Sequence, residues 1–359
     1  MTQEWLAKEG PEYFTRGDWA KHFVAQANRL GWKITLDHMT AMPPRWQEPL
    51  RYQHQGQEIV QLYPPERTGV FTALVLGILS NFDLKAMGHY TQSAEMLYLM
   101  AHALRRAHWE MGLLNDPQAF KVPLEQWLSK SYQAALAEII WRSRPKVDLT
   151  NHIRVTAGNL ALAAAGLPTA EGKADHSPAG SCELSIVDSL GNWVQMMNTL
   201  QGGGIPGFVV DGVPMVGSHA RNLLSADIAG WFSGGARIRS IVGSTLVLKS
   251  GEPWLSLGTP GNVYGTIPQV LSSILDYGMT PDQAADLPRM DPLRDDYVLE
   301  IESRLSPEVV SGLARLGIRI QPLPMYDYNM GSFQMCWKSE DGAMNSCADP
   351  RRAGKADGF

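Results

Sequence analysis

The residues best suited to chemistry lie near the middle of the chain, at Gly180-Ser181-Cys182. A hydroxyl or thiol at the first position of a strand becomes a nucleophile when the peptide bond before it is cut, because the α-amine so released can serve as its base. This requires Ser, Thr or Cys at that position and a small residue before it, which leaves the preceding carbonyl open to attack. Ser181 after Gly180 meets both requirements, although a Ser before a strand is also commonplace in loops. Cys182 would take the role if the cleavage register lay one residue later, and otherwise reads as a small buried strand residue. His176, in the preceding connector, reads as a solvated loop residue rather than a processing base. Gly202-Gly-Gly204 lacks the Lys-Ser/Thr of a phosphate-binding loop and reads as a flexible loop. Cys182, Cys336 and Cys347 have neither a disulfide framework nor zinc spacing, so no metal or cofactor is expected. Sparse cysteine points to a reduced, cytoplasmic protein.

Composition sets the frame for that chemistry. The chain has 359 residues, long enough for one large domain or two ordinary ones. With 44% hydrophobic and 19% charged residues it is globular in balance. The formal net charge is −5, with basic residues scattered, so there is no electrostatic footprint for nucleic acid. No apolar run approaches the length of a membrane span, and the polar start of the chain is no secretory signal.

The elements that must position the junction fall into two stretches. Residues 1–166 read as mostly helical. Helices are expected over Asp18–Leu30 with Gly31 as a stop, over Thr68–Leu79, over Ser93–Met111 with Ser93 as N-cap, and over Ser129–Trp141. Residues 167–180, rich in Pro, Gly and Ala, read as an exposed connector. From 181 to 359 the period switches to two, giving an α+β part. Strands are expected at Cys182–Val187 and Asn192–Met197 about the turn Asp188–Gly191, then at Phe208–Val210, Ser244–Lys249 and Trp254–Leu257. Helices follow from Ile267 to Tyr277 and from Pro281, capped by Thr280, and strands at Val298–Ile301, Ile318–Gln321 and Phe333–Trp337 complete the chain.

Ser181-Cys-Glu-Leu-Ser-Ile-Val-Asp188, then Gly191-Asn192, Thr199-Leu-Gln201 and a Gly-rich run, resembles the gamma-glutamyltranspeptidase family. That family's small subunit opens on Thr-Thr-His-x-Ser-Val-Val-Asp. The resemblance continues through Ser244–Lys249, Leu257-Gly-Thr-Pro-Gly261, Asp276-Tyr-Gly-Met279, Ala284–Arg289 and Ala348-Asp-Pro-Arg-Arg352. Upstream, Gly10–Phe14, Leu79–Leu84 and His102–Arg106 resemble the large subunit. The resemblance implies an N-terminal-nucleophile hydrolase fold, an αββα sandwich, and a precursor that cuts itself between Gly180 and Ser181. Ser181 then stands for the nucleophilic Thr. Thr199 stands for the Thr that supports it, and Gln201 for an Asn at the substrate's amino-acid end. Gly261 and Asn262 stand for the Gly pair whose N–H groups hold the oxyanion.

The departures from the family pattern bear on the substrate. The acidic motif that holds a γ-glutamyl α-amine is replaced by Asp211–Ala220, without a matching acidic pair, and the paired serines are Ser240-Ile241. Buried substrate charges would go unpaired there, so glutathione does not fit well. Asp211, His219 and Arg221 are candidates for a different polar end, each also readable as ordinary loop polarity. The resemblance further implies that Met1 falls inside the family's large subunit, leaving the sandwich incomplete at its N-terminal end. A second polypeptide, or a homo-oligomer, would then cover the exposed sheet. The expected activity is that of an amide-bond hydrolase or acyltransferase acting on a small-molecule amide or peptide through an acyl-enzyme on Ser181. The alternative is an uncut, non-catalytic subunit of a similar complex.

Overall fold

A computed structural model describes residues 2–41, 46–144, 181–199, 204–216, 236–237 and 239–358. In chain order the first elements are α1 (Thr2–Glu9), α2 (Asp18–Arg29), α3 (Leu36–Ala41), β1 (Leu50–His54) and β2 (Gln57–Gln61). Then come α4 (Thr68–Leu79), α5 (Leu84–Met87), α6 (Ala94–Glu110), α7 (Leu124–Leu128) and α8 (Lys130–Arg142). The strands β3 (Ser181–Val187), β4 (Trp193–Thr199), β5 (Gly204–Val210), β6 (Val213–Val216), β7 (Thr245–Lys249) and β8 (Glu252–Gly258) follow. The chain continues through α9 (Val263–Leu275), α10 (Pro281–Asp286), β9 (Val298–Glu302), α11 (Pro307–Arg315), β10 (Arg319–Leu323), β11 (Gln334–Lys338) and β12 (Met344–Ala348). The fold class is α+β, as expected.

These elements form two compact units, Met1–Glu48 with Thr199–Ala236, and Pro49–Asn198 with Arg237–Phe359. In the first, α2 carries Trp19 and Phe23 onto Phe208 of β5. Trp19 and Phe23 stack at 5.3 Å, Phe23 and Phe208 at 5.6 Å, and Trp19 Nε1 donates to Val210 O at 3.1 Å. Gly31, at φ +89°, ends the turn after α2 in a conformation that favours glycine.

The second unit is built on an antiparallel sheet ordered β1-β2-β7-β8-β11-β12. The hairpin β1–β2 was not expected from the sequence. Its strands are five residues long and turn on Gln55-Gly56 instead of the usual Asn-Gly. Helix α11, capped by Ser306 through Val309 N at 3.3 Å, was likewise not expected. Expected ends hold elsewhere. Ser93 Oγ accepts from Met96 N at 3.2 Å, and Thr280 and Gln283 close a capping box on α10.

Helix α4 is the centre of the helical layer, buried along its length except at Gly77, where the side chain of Gln133 from α8 fills the space a Cβ would need. Such burial contributes roughly 1.5–3 kcal/mol for each large apolar side chain. The main core joins Val70, Leu74 and Leu97 to Met290, Leu299 and Ile320, so residues from before and after the connector share one core. The connector 167–180 lies outside the described residues.

On one face of the sheet lies β3, the first strand of the two-stranded β3–β4 sheet, packed against β8 and β11. Ser185 Oγ bonds Ser256 Oγ of β8, and Cys336 Sγ of β11 donates to Ser185 O at 3.5 Å. Strand upon strand is thus established at the point where the candidate nucleophile begins.

The segment after β12 is pinned by buried charges. Arg351 clamps Glu302 with Nε at 2.7 Å and Nη2 at 2.6 Å, and reaches Asp349 at 3.2 Å. Arg289 bonds the other oxygen of Asp349. All four side chains are excluded from water. Removing one member strands its partner, so Arg351→Ala is expected to lower stability by about 3–5 kcal/mol. Arg351→Lys should recover only part of this, because a single ammonium cannot make the two-pronged bond. Urea unfolding of the three proteins checks both expectations.

Candidate functional site

Ser181 is the first residue of β3 and is half-buried. Along β3 the even residues Cys182 and Ile186 are exposed, whereas Ser181, Glu183 and Ser185 share the opposite, more covered side. Ser185 meets Ser256, and the Glu183 carboxylate lies 2.3 Å from where a Cβ on Gly258 would be. Two residues back along β3 therefore match two residues forward along β8. Continued by one more step, the same progression would bring the head of β3 level with the segment after β8, Thr259-Pro-Gly261.

That segment is a fixed turn. Thr259 Oγ1 donates to Pro260 O at 2.8 Å and accepts from Ser332 N at 2.7 Å. Gly261 has φ +85°, and a Cβ there would stand 2.7 Å from Asn329 O and 2.9 Å from Arg352 Nη2. Glycine is required for both reasons. Asn262 caps α9, its Oδ1 accepting from Gly265 N at 2.9 Å while its Nδ2 bonds Asp291. The turn thus lies at the positive end of a 13-residue helix.

The Asn262 N–H, expected as an oxyanion donor, donates to Asn329 O at 2.8 Å in this structure. A donor held by a protein carbonyl is not available to a second acceptor, so of the expected pair Gly261 is the better placed. The sequence could not show this, because Asn329 comes from a distant loop.

Arg352 adds a positive charge beside the turn. Its guanidinium stacks on Tyr328 at 3.9 Å and its Nε donates to Tyr328 O at 3.0 Å. It lies near Cys182. The beginning of β3, the Gly261 turn and the C-terminal Arg352 therefore converge. The sequence marked Arg352 only as part of a closing motif, and its position follows from the buried Arg351 clamp beside it.

The other expected site residues are placed less compactly. Thr199 is the last residue of β4. Ser240 bridges to Glu66, with Arg67 N donating to Ser240 O at 3.1 Å and Ser240 N to Pro65 O at 3.3 Å. Buried Glu66 organises this segment by accepting from Thr68 N at 2.9 Å and Val242 N at 3.0 Å, and burial pushes its carboxyl up. Asp211 belongs to the first unit. It forms the left-handed turn between β5 and β6 at φ +48°, and its carboxylate lies 2.8 Å from His22 Nδ1. Gly180, Gln201, His219, Arg221 and His176 lie outside the described residues.

Residues 1–359 match the profile of the gamma-glutamyltranspeptidase family. The chain belongs to that family. Among its gamma-glutamyltranspeptidase relatives, the glutathione hydrolase proenzyme of Escherichia coli is 27% identical over 97% of this chain and 59% of its own length. An acylase ACY 1 proenzyme of a Pseudomonas species is 23% identical over 97% and 61%. The chain thus spans about three fifths of the length of these curated relatives. Cephalosporin acylase from Bacillus halodurans superposes with a TM-score of 0.80 at 19% identity, over 100% of this chain and 62% of that one. This shows a shared fold.

Asp291, which holds the cap residue Asn262, is missing from the sequence-based set. Burial pushes its carboxyl up to about 7, with Glu300 and Asp327 adding to the effect. The folded state therefore holds a proton that the unfolded chain releases at about 4. The stability this contributes is complete below that value and is lost as pH rises through about 7. Asp291→Asn is expected to flatten this part of the stability profile, measured as urea midpoints between about pH 4 and 8.

Proposed function

We propose that this chain is an amide-bond hydrolase or acyltransferase of the gamma-glutamyltranspeptidase type, built on an αββα N-terminal-nucleophile fold. Self-cleavage between Gly180 and Ser181 activates it. In the first step Ser181 Oγ attacks the Gly180 carbonyl carbon, the Gly180–Ser181 C–N bond breaks, and the nitrogen takes up the proton. The Ser181 α-amine is free from that point, and water then hydrolyses the resulting ester, freeing the hydroxyl and leaving Gly180 with a carboxylate. In turnover the amine accepts the hydroxyl proton as Ser181 attacks a substrate amide, and the leaving amine carries that proton away. The acyl group passes from Ser181 to water or to another amine.

The observation that carries this reading is that Ser181 heads β3, whose Glu183 side chain packs at Gly258, just before the Gly261 turn at the N-terminus of α9. A helix N-terminus and a backbone N–H are suited to the negative oxygen formed during attack. Arg352 beside that turn suits an acyl group with a negative charge. With Ile241 in place of a second serine, we take that group to be other than γ-glutamyl.

A second reading, an uncut subunit without catalytic activity, is favoured by one observation: Asn262 N–H is held by Asn329 O, which leaves the expected oxyanion pair incomplete. Intact mass spectrometry under denaturing conditions separates the two. The hydrolase reading expects fragments of 180 and 179 residues, absent from Ser181→Ala. One full-length mass of 39.6 kDa in both proteins would favour the uncut subunit.

A further inference from the structure

Glu183 lies one strand repeat beyond Ser181 on the same side of β3. One of its oxygens accepts from Gln195 Nε2 of β4 at 2.6 Å. The other, Oε2, is buried without a hydrogen-bond partner among the described residues, and so is Oε1 of Gln195. Gly258 makes room for the group, since a Cβ there would stand 2.3 Å from Glu183 Oε1 and 2.7 Å from Gln195 Nε2. A carboxylate is an expensive group to place between two strands, and leaving one of its oxygens unmatched costs more. Such an arrangement is costly as packing and useful as a proton store.

We propose that Glu183 is the base of the self-cleavage step, taking the proton from Ser181 Oγ and returning it to the Ser181 nitrogen as the Gly180–Ser181 bond breaks. The inference rests on the self-cleaving reading above. It supplies what that reading lacks, because before the cut there is no free α-amine to act as base. The α-carbons of residues i and i+2 are about 6.6 Å apart, a gap that one water molecule bridges between hydroxyl and carboxyl. The proton borrowed from oxygen is the one delivered to nitrogen, so the carboxylate is regenerated without any other reactant.

The surroundings favour a base that works near neutrality. Burial pushes the Glu183 carboxyl up to about 7, against the Gln195 hydrogen bond, which lowers it. The elements packed on it bring few charges. Strand β4 has no titratable side chain. Strand β8 has Glu252, exposed at its far end, and β11 has buried Cys336 and exposed Lys338. On β3 itself Cys182 is exposed on the other side, and Arg352, whose Nη2 lies beside the Gly261 turn, is the charged group close to this end of the strand.

The test uses the full chain, pulse-synthesised in a cell-free extract at about pH 5.5, then shifted to buffers up to about pH 9. Scission is followed by intact mass. In the wild type, the rate is expected to rise about tenfold per pH unit below 7 and then level off. Glu183→Gln should slow it by about 100-fold or more and remove the inflection. Gln195→Leu removes the bond that lowers the carboxyl and should move the inflection upward. Glu183→Gln cutting at the wild-type rate with the wild-type inflection overturns the proposal and leaves the Ser181 reading intact. If Glu183→Gln fails to fold by thermal melting, an unmoved inflection in Gln195→Leu overturns it instead. A wild type uncut at every pH, like Ser181→Ala, removes the self-cleaving reading and this proposal with it.

Discussion

Two guanidinium groups and two carboxylates, sealed from water between α10, β9 and the segment after β12, fix where the last part of the chain can go. Moving any one of them would strand a charge, so the arrangement is close to all-or-none. Its consequence reaches the site. Arg352 follows directly on Arg351, and Tyr328 and Asn329 follow Asp327, whose N–H donates to Glu302 Oε1 at 2.9 Å. The carbonyl that holds Asn262 and the guanidinium beside Gly261 are both delivered by one polar cluster. The reactive region is therefore assembled from chain segments far apart in sequence, held by a group that does no chemistry itself.

A second polar residue does similar service on the other side. Glu66 accepts hydrogen bonds from the first turn of α4 and from Val242, tying the central helix to the strand-like stretch at Ser240. Both anchors place a buried acid where several N–H groups converge. That satisfies the donors at a helix start and fixes a loop in the same stroke.

How much of this was legible depends on the range of the interactions. Local devices were readable. Ser93 and Thr280 cap helices because their bonds close within three residues, and the two-period of β3 and β7 follows from burial of one side. The β1–β2 hairpin was not readable, since its polar residues find their partners in β7 and in a distant buried pair, His54 with Asp276 at 2.9 Å. At the candidate site, Ser181 is a candidate from its type and its place before a strand, and Gly261 from the family resemblance. Glu183 and Asp291 were not, because a carboxyl in a sequence carries no sign of burial. Asp211 is a candidate for its charge, and its left-handed turn and its His22 partner are features its type alone does not announce. Asn262 was judged by its place in a motif, whereas its amide answers to a loop that the motif does not contain.

The sheet order has a mechanical meaning for any cut at the connector. Strand β2, from before it, is laddered to β7, from after it, and α4 shares its core with α9. Scission at Ser181 would be a nick in an interlocked particle, not a division into halves. Parting the pieces would require tearing a β-ladder and opening the central helix packing to water. The two lengths of chain would then keep travelling as one body, with a fresh end exposed at the head of β3 and no loss of mass.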